Sequence, residues 1–401
     1  METYASQGGR ILVVDDNEMN RDMLSRRLER RGYDVATADN GRQAIERVES
    51  GDFDLVLLDV MMPEMNGYEV LERLKADADW CHIPVVMISA VDEMDSIVRC
   101  IRLGAADYLP KPFNATILGA RVEACLDRKR LHDREQLYAQ GLEREMEIGR
   151  RIQAGFLPAT LPRAEGWDLA ARFRPARQCA GDFYDAFWIP EAGEGSTSGR
   201  VGLVVADVCD KGVGSALFMA LFRSLLRATA QGFAGAPGVP AASADAHLHH
   251  LIISTNDYIA RTHGAANMFA TVFFGELDPR TGDLLYVNAG HDAPVVVRAS
   301  GEVERLPPTG PALGMLPGLP FGVEAILLNP GDALVAFTDG VADAQSPEGD
   351  FFTEGRLLDL VTAPSTSAGA LLDGVEGALA AHTRDAEPFD DVTLLAVLRR
   401  G

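Results

Sequence analysis

The stretch from Arg200 to Ala220, RVGLVVADVCDKGVGSALFMA, restricts the possible fold more than any other in the chain. Val201 to Val205 is apolar and mostly β-branched, which suits a strand buried on both faces that ends in Asp207. Gly212 and Gly214 mark a turn, and Ser215 to Arg227 reads as a helix with apolar residues all round at its start. A buried strand that delivers a carboxylate to its tip is costly. An unpaired buried charge is strongly destabilising, so Asp207 needs a hydrogen-bond partner or a cation.

Three more acidic clusters sit at the ends of apolar runs. Asp182 lies in GDFYD, Asp339 follows Ala333 to Phe337 in TDG, and Asp390 and Asp391 precede Leu394 to Leu398 in DDVT. Oxygen donors with no His or Cys among them favour a hard cation, Mg2+ or Mn2+, over zinc. Two such ions sharing a carboxylate are suited to activating one water between them. Any one cluster alone is more often a turn or a cap, because Asp before Gly is a common turn pair. Four at strand edges in one chain favour the ligand reading.

In this order GDFYD, ADVCDKGVGSALFMA, NAGH, FTDGVADA and DDVTLLAV resemble the metal-dependent type 2C serine phosphatases. The likeness is narrower to the bacterial partner-switching branch, which includes the stage II sporulation E and stress-response phosphatases. It covers roughly Leu157 to Arg400. The resemblance implies an α+β four-layer α-β-β-α sandwich holding two Mn2+ or Mg2+. The implied ligands are Asp182, Asp207, the carbonyl of Val208, Asp339 and the Asp390–Asp391 pair, with Asp390 the direct ligand of that pair. Asp182, Asp207, Asp339 and Asp390 would form the catalytic set for phosphoserine hydrolysis. The implied substrate is a phosphorylated anti-sigma-factor antagonist. Asp210 stands where relatives carry a small residue, and either a solvated turn or a role in metal affinity fits it. His291 in NAGH suits a place near the substrate or a turn cap equally well.

Upstream, strands and helices alternate. Strands are expected at Arg10 to Val14, Tyr33 to Thr37, Phe53 to Leu58, Pro84 to Ile88 and Ala106 to Leu109. Helices are expected at Arg21 to Arg30, Arg42 to Glu49, Gly67 to Lys75 and Asp95 to Leu103, with a last one from Asn114. This spacing predicts an α/β, doubly wound parallel sheet, whose site lies beyond the carboxyl ends of the strands. Asp15, Asp16, Asp59, Ser89 and Lys111 all fall there. Three carboxylates make a Mg2+ site, a nearby Lys can neutralise a phosphoryl group, and a Ser hydroxyl can bond its oxygen. Taken singly, Asp16 could cap the next helix and Lys111 could be a surface lysine. VVDDN, LLDVMMPEMNG, MISA and DYLPKPF, within about Gly9 to Arg128, resemble a flavodoxin-like response-regulator receiver domain. That resemblance makes Asp59 the phospho-acceptor, and it makes Asp15, Asp16, Asp59 and the carbonyl of Met61 the Mg2+ shell. It also makes Ser89 and Tyr108 the switch pair, Lys111 the phosphate-binding lysine, and Lys111–Pro112 a cis peptide.

Between the two lies a helical linker, residues 115–157. From Arg121 to Arg151 it carries eight basic and seven acidic residues, mixed along the sequence. Such a helix is a solvated spacer or a coiled coil. Long isolated helices are marginal without packing, which favours a homodimer through Leu131, Tyr138, Leu142, Met146 or Ile148, Ile152 and Phe156. The expected domains are therefore a disordered 1–8, a receiver over 9–128, the linker over 115–157 and a phosphatase over 158–401. His247, His249 and His250 invite a zinc reading but lack partners at ligand spacing.

A net charge of −22 repels nucleic acid. The N-terminus lacks a signal-peptide pattern and no bilayer-spanning apolar run is expected, so the reading is a cytoplasmic protein without membrane insertion. Five cysteines without CxxC spacing read as reduced. The expected partners are a sensor histidine kinase or phosphotransfer protein upstream and the phospho-antagonist downstream. The alternative is a non-catalytic, phosphorylation-gated adaptor that sequesters a partner.

Overall fold

The structure, a computed structural model, describes residues 8–89, 94–112, 114–190, 199–232 and 243–401. The chain divides into two compact units, Met1–Leu142 and Glu143–Gly401.

The first unit is a five-stranded parallel sheet in the order β2-β1-β3-β4-β5. Its elements are β1 (Arg10–Val14), α1 (Glu18–Glu29), β2 (Asp34–Ala38), α2 (Gly41–Ser50) and β3 (Leu55–Asp59). They continue as α3 (Gly67–Ala76), β4 (Val85–Ser89), α4 (Met94–Arg102) and β5 (Asp107–Pro110). β1, β3 and β4 are apolar on both faces because helices cover both. Leu12, Val14, Val56, Leu58 and Met87 pack towards α2 and α3. Ile11, Val13, Leu55, Leu57 and Ile88 pack on the opposite side, with Leu24 and Leu28 of α1. The doubly wound parallel sheet is as expected. Asn17 caps α1, its side chain accepting the N–H groups of Met19 and Asn20, so Asp16 has no capping duty. α3 opens with a capping box between Asn66 and Glu69. Lys111–Pro112 is cis.

α5 runs unbroken from Ala115–Ala154, forty residues with no Pro. Leu131, Leu137, Tyr138, Leu142, Ile148 and Ile152 are all exposed on it.

The second unit stacks two antiparallel five-stranded sheets. One, ordered β13-β10-β9-β8-β7, contains β7 (Phe183–Pro190), β8 (Gly199–Val208), β9 (Ala270–Leu277), β10 (Asp283–Ala289) and β13 (Glu324–Leu327). The other, ordered β12-β11-β14-β15-β6, contains β6 (Trp167–Arg174), β11 (Val295–Val297), β12 (Val303–Arg305), β14 (Ala333–Phe337) and β15 (Val392–Arg399). Val201, Leu203 and Val205 of β8 meet Leu334, Ala336, Leu395 and Val397 between the sheets. The alternate residues Val204, Ala206 and Val208 face α6 (Val213–Gly232) and α7 (Ala244–His263). α8 (Glu354–Val361) and α9 (Ala368–Thr383) cover the second sheet through Leu357, Leu372 and Val375. The layers are therefore α-β-β-α, and the period-2 alternation of each strand feeds two different cores.

Several expectations are amended. β8 extends one residue past Asp207 to Val208, so Asp207 lies inside the ladder opposite Thr271, not at the strand's tip. α6 is long and apolar enough to cross a membrane by length and composition, contrary to the expected absence of such a run. Its Met219, Phe222, Leu226 and Ala230 are instead buried in the core of the sandwich. His247 pairs with Glu276 Oε1 at 2.7 Å, and His250 meets Ser254 at 3.0 Å, so the histidine run does not converge on a ligand set. The expected disordered start, 1–8, falls largely on residues outside those described.

Candidate active site

The first unit gathers its acidic residues at the carboxyl ends of β1 and β3. Asp15 and Asp59 are buried, and Asp16 is exposed. One carboxylate oxygen from each lies within 4.8 Å of the other two. Lys111 Nζ sits 2.8 Å from both Asp15 Oδ2 and Asp59 Oδ2. Asn20 Nδ2 and the Asn17 N–H also donate to Asp15. Burial holds the Asp59 carboxyl above its ordinary range, with the charge of Asp15 adding to the effect and Lys111 opposing it. Burial alone would lower Lys111, but hydrogen bonds to Asp15 and Asp59 outweigh it and leave the ammonium raised. An all-oxygen triad with one ammonium suits a hard cation such as Mg2+. Ser89 is fully buried, Tyr108 nearly so, and Met61 is exposed.

The second unit assembles its acids from segments far apart in sequence. Asp182 precedes β7, Asp207 lies near the end of β8, Asp339 follows β14 and Asp390 precedes β15. Asp182 is buried and its Oδ2 accepts two hydroxyl hydrogen bonds, from Thr338 at 2.6 Å and Thr393 at 2.7 Å. Burial, followed by the charge of Asp339, pushes Asp207 up to about 7. Burial and the charge of Asp207 raise Asp182 well above the carboxylate range. Asp339 is raised by burial and by Asp390. The cluster therefore carries more negative charge than it can hold ionised, and oxygen donors in this state fit divalent cations. The four carboxylates share one electrostatic environment. They do not include a triple drawn as close as that of the first unit among the described residues.

Two glycines make the approach possible. A Cβ on Gly340 would fall 1.9 Å from the Asp391 carbonyl oxygen, and one on Gly181 would fall 2.7 Å from that of Val208. Any larger residue would push the Asp339 turn off β15, or the Asp182 segment off β8.

The two acids of the Asp390–Asp391 pair have different surroundings. Asp391 accepts backbone N–H groups from Ala176 at 2.7 Å and Gly181 at 2.8 Å, which ties the loop before Asp182 to β15. Asp390 Oδ2 meets Lys211 Nζ at 2.7 Å. His291 is buried, its N–H donates to Asn288 Oδ1, and its Nδ1 lies 2.8 Å from Thr271 Oγ1. Burial lowers its imidazole to about 4, so it is neutral and serves as a pin of the turn after β10. Asp210 is exposed with φ +72°, and its Oδ1 accepts the Lys211 N–H.

Sequence reasoning passed over other residues of this site. Thr338 and Thr393 fix Asp182, and their neighbourhood in TDG and DDVT was the available signal. Asp185, two residues into β7, is buried against Arg223 at 3.0 Å and Arg227 at 3.2 Å and so anchors α6. Gln153, in the last turn of α5, receives the Ala180 N–H at 3.0 Å and donates to its carbonyl at 2.5 Å.

Residues 197–400 match the family model of stage II sporulation protein E, SpoIIE. The chain belongs to that family. Residues 11–123 match the response regulator receiver domain, so a receiver precedes the SpoIIE-type domain. Protein IcfG of Synechocystis sp. is 41% identical over 273 residues, 64% of this chain and 41% of that protein. The alkaline phosphatase synthesis transcriptional regulatory protein PhoP of Bacillus subtilis is 42% identical over 122 residues, 30% of this chain and 50% of its own. The chain thus spans half or less of these relatives' lengths. Among solved structures, the RsbU and RsbW domains of Rv1364c from Mycobacterium tuberculosis are 28% identical. They cover 61% of this chain and 63% of their own, at a TM-score of 0.47. The SiaA-PP2C domain of Pseudomonas aeruginosa is 22% identical at a TM-score of 0.49, covering 66% and 99%.

Proposed function

We propose that this SpoIIE-family chain is a receiver-controlled protein serine/threonine phosphatase. The observation that carries the reading is the acidic centre built by Asp182, Asp207, Asp339 and Asp390, in which burial and neighbouring carboxylates raise the carboxyls of Asp182, Asp207 and Asp339. Divalent ions at such a centre, Mn2+ or Mg2+, supply a nucleophilic water at neutral pH and stabilise charge on a phosphoryl group. Asp182, Asp207, Asp339, Asp390 and the Val208 carbonyl would hold them. Asp391 is assigned to the same centre, where it orders the 176–181 loop through its two accepted N–H bonds. Thr338 and Thr393 clamp Asp182 through its Oδ2 and so fix its orientation in the centre. The leaving serine alkoxide is replaced in line by water, with no covalent enzyme intermediate.

The substrate we assign is a phosphoserine of an anti-sigma-factor antagonist in a partner-switching pathway. The receiver, proposed as residues 9–128, takes its phosphoryl group on Asp59 from a histidine kinase or phosphotransfer protein. Lys111 neutralises that group, with Ser89 and Tyr108 as the switch pair and Asp15, Asp16 and the Met61 carbonyl holding Mg2+. The linker, 115–157, joins two copies as a coiled coil through its exposed apolar residues, and 158–401 is the catalytic domain. The proposed setting is the cytoplasm.

The test is Mn2+-dependent hydrolysis of an aryl phosphate and of phospho-antagonists, with and without a small phosphodonor. Turnover that EDTA and Asp207→Asn both abolish is expected, and phosphorylation of Asp59 is expected to raise it. Binding of a phospho-antagonist without turnover would favour the adaptor instead. An Asp59→Asn chain that still responds to the donor would break the coupling.

A further inference from the structure

Of the 37 basic residues only four are lysines, and Lys211 is the single lysine of the second unit. It stands in the turn between β8 and α6, bracketed by two left-handed positions, Asp210 at φ +72° and Gly212 at φ +99°. Its Nζ lies 2.7 Å from Asp390 Oδ2 and 2.9 Å from the Phe389 carbonyl oxygen. It also sits 5.0 Å from the centre of the Phe389 ring. The other oxygen of Asp390 accepts the Asp391 N–H at 2.9 Å. Both oxygens of Asp390 are therefore in use, one of them by an ammonium.

The choice of cation matters in a chain that otherwise relies on arginine. Arginine grips a carboxylate with a rigid two-point fork, whereas lysine is a compact charge on a flexible stem with rotatable donors. A side chain 36% exposed, paired with one 26% exposed, is held weakly enough to exchange. The same device appears in the first unit, where Lys111 spans two carboxylates of the other acidic cluster.

We propose that Lys211 is the built-in counter-ion of the carboxylate centre. It competes with a divalent cation for Asp390 Oδ2, so cation binding releases Lys211 from the Phe389–Asp390 segment. The inference rests on the reading of the centre as a divalent-cation site. A dication outbids a single ammonium for one carboxylate oxygen, and the two positive charges repel at that range. Deleting the ammonium leaves the centre more negative and should strengthen cation binding. Replacing it with the forked guanidinium should weaken binding.

The full chain is used, with Mn2+ as the probe. Amine acylation of the four lysines is followed by mass spectrometry across an Mn2+ titration, and Mn2+ binding is measured by calorimetry for wild type, Lys211→Met and Lys211→Arg. Acylation of Lys211 is expected to rise several-fold on saturation while Lys75 and Lys129 stay constant. Asp390→Asn should show high Lys211 acylation at every Mn2+ concentration. Lys211→Met is expected to bind Mn2+ about two- to fivefold more tightly, the size of a partly exposed ion pair removed. Unchanged Lys211 labelling by Mn2+ that does bind, together with unaltered affinity in Lys211→Met, would overturn the counter-ion role alone. An Mn2+ stoichiometry unaffected by Asp207→Asn would overturn the cation-site reading and this inference with it.

Discussion

Chelating the protein with EDTA and raising the pH should unfold the second unit more easily, and the effect can be sized. Asp207 has its carboxyl pushed from 3.8 to about 7 by burial and neighbouring charge. Between those values the folded chain keeps a proton that the unfolded chain has lost. Stability therefore falls as pH climbs from about 4 to about 7 and levels off above that. The shift corresponds to about 4 kcal/mol between the two protonation states. For a domain of this size that is a drop in Tm on the order of 10 °C. His247, raised by its hydrogen bond to Glu276, contributes in the same direction, since its share is present at low pH and lost as pH rises through its folded value. Subtracting the profile of Asp207→Asn removes that contribution. The assay is scanning calorimetry in EDTA and in Mn2+ over a pH series. In EDTA the wild type should lose stability with pH more steeply than Asp207→Asn, and the variant should be the more stable of the two at about pH 8. Mn2+ should rescue the wild type most at high pH and leave the variant almost unmoved. Superimposable EDTA profiles, or a larger Mn2+ rescue at low pH, would refute the argument that crowded carboxyls set the chemistry of this centre.

Other outcomes follow from single contacts. Asp185→Ala leaves Arg223 and Arg227 without their buried partner and should cost about 3–5 kcal/mol, read by urea unfolding. Thr338→Val and Thr393→Val each delete one hydrogen bond to Asp182 Oδ2 and should cost about 1–2 kcal/mol. Both should also weaken Mn2+ binding while the circular dichroism spectrum is retained. Gln153→Leu strands the N–H and C=O of buried Ala180, at about 1–3 kcal/mol for each group. Hydrogen exchange of the Ala180 to Asp182 amides should speed up accordingly, whereas protection in β9 should be unchanged.

The elements of the receiver were legible to within three residues at their ends. Its strands are short, buried on both faces and alternate with helices, so the sheet type places Asp15, Asp59 and Lys111 at one edge without any knowledge of side-chain contacts. The second unit was legible as a list of elements and acids but less so as a site. That β8 extends through Asp207 depends on pairing with β9, which no local propensity encodes. Which acid of the Asp390–Asp391 pair faces the centre depends on where the 176–181 loop comes to lie. The apolar length of α6 passes for a membrane span by composition, and only its packing shows that Met219, Phe222, Leu226 and Ala230 form a face buried with Val204 and Phe274.

By itself, then, the order of residues determined the periodicities, the turns and the supply of carboxylates. These are local properties, set by side-chain size, branching and charge. The three-dimensional packing alone decided that Thr338, just past β14, and Thr393 of β15 grip Asp182, that Asp185 is answered by two arginines of α6, and that Lys211 reaches across to Asp390. Such contacts join positions up to 211 residues apart. Their geometry is fixed by strand register and by the close approach allowed at Gly181 and Gly340, which exist only once the sheets have formed.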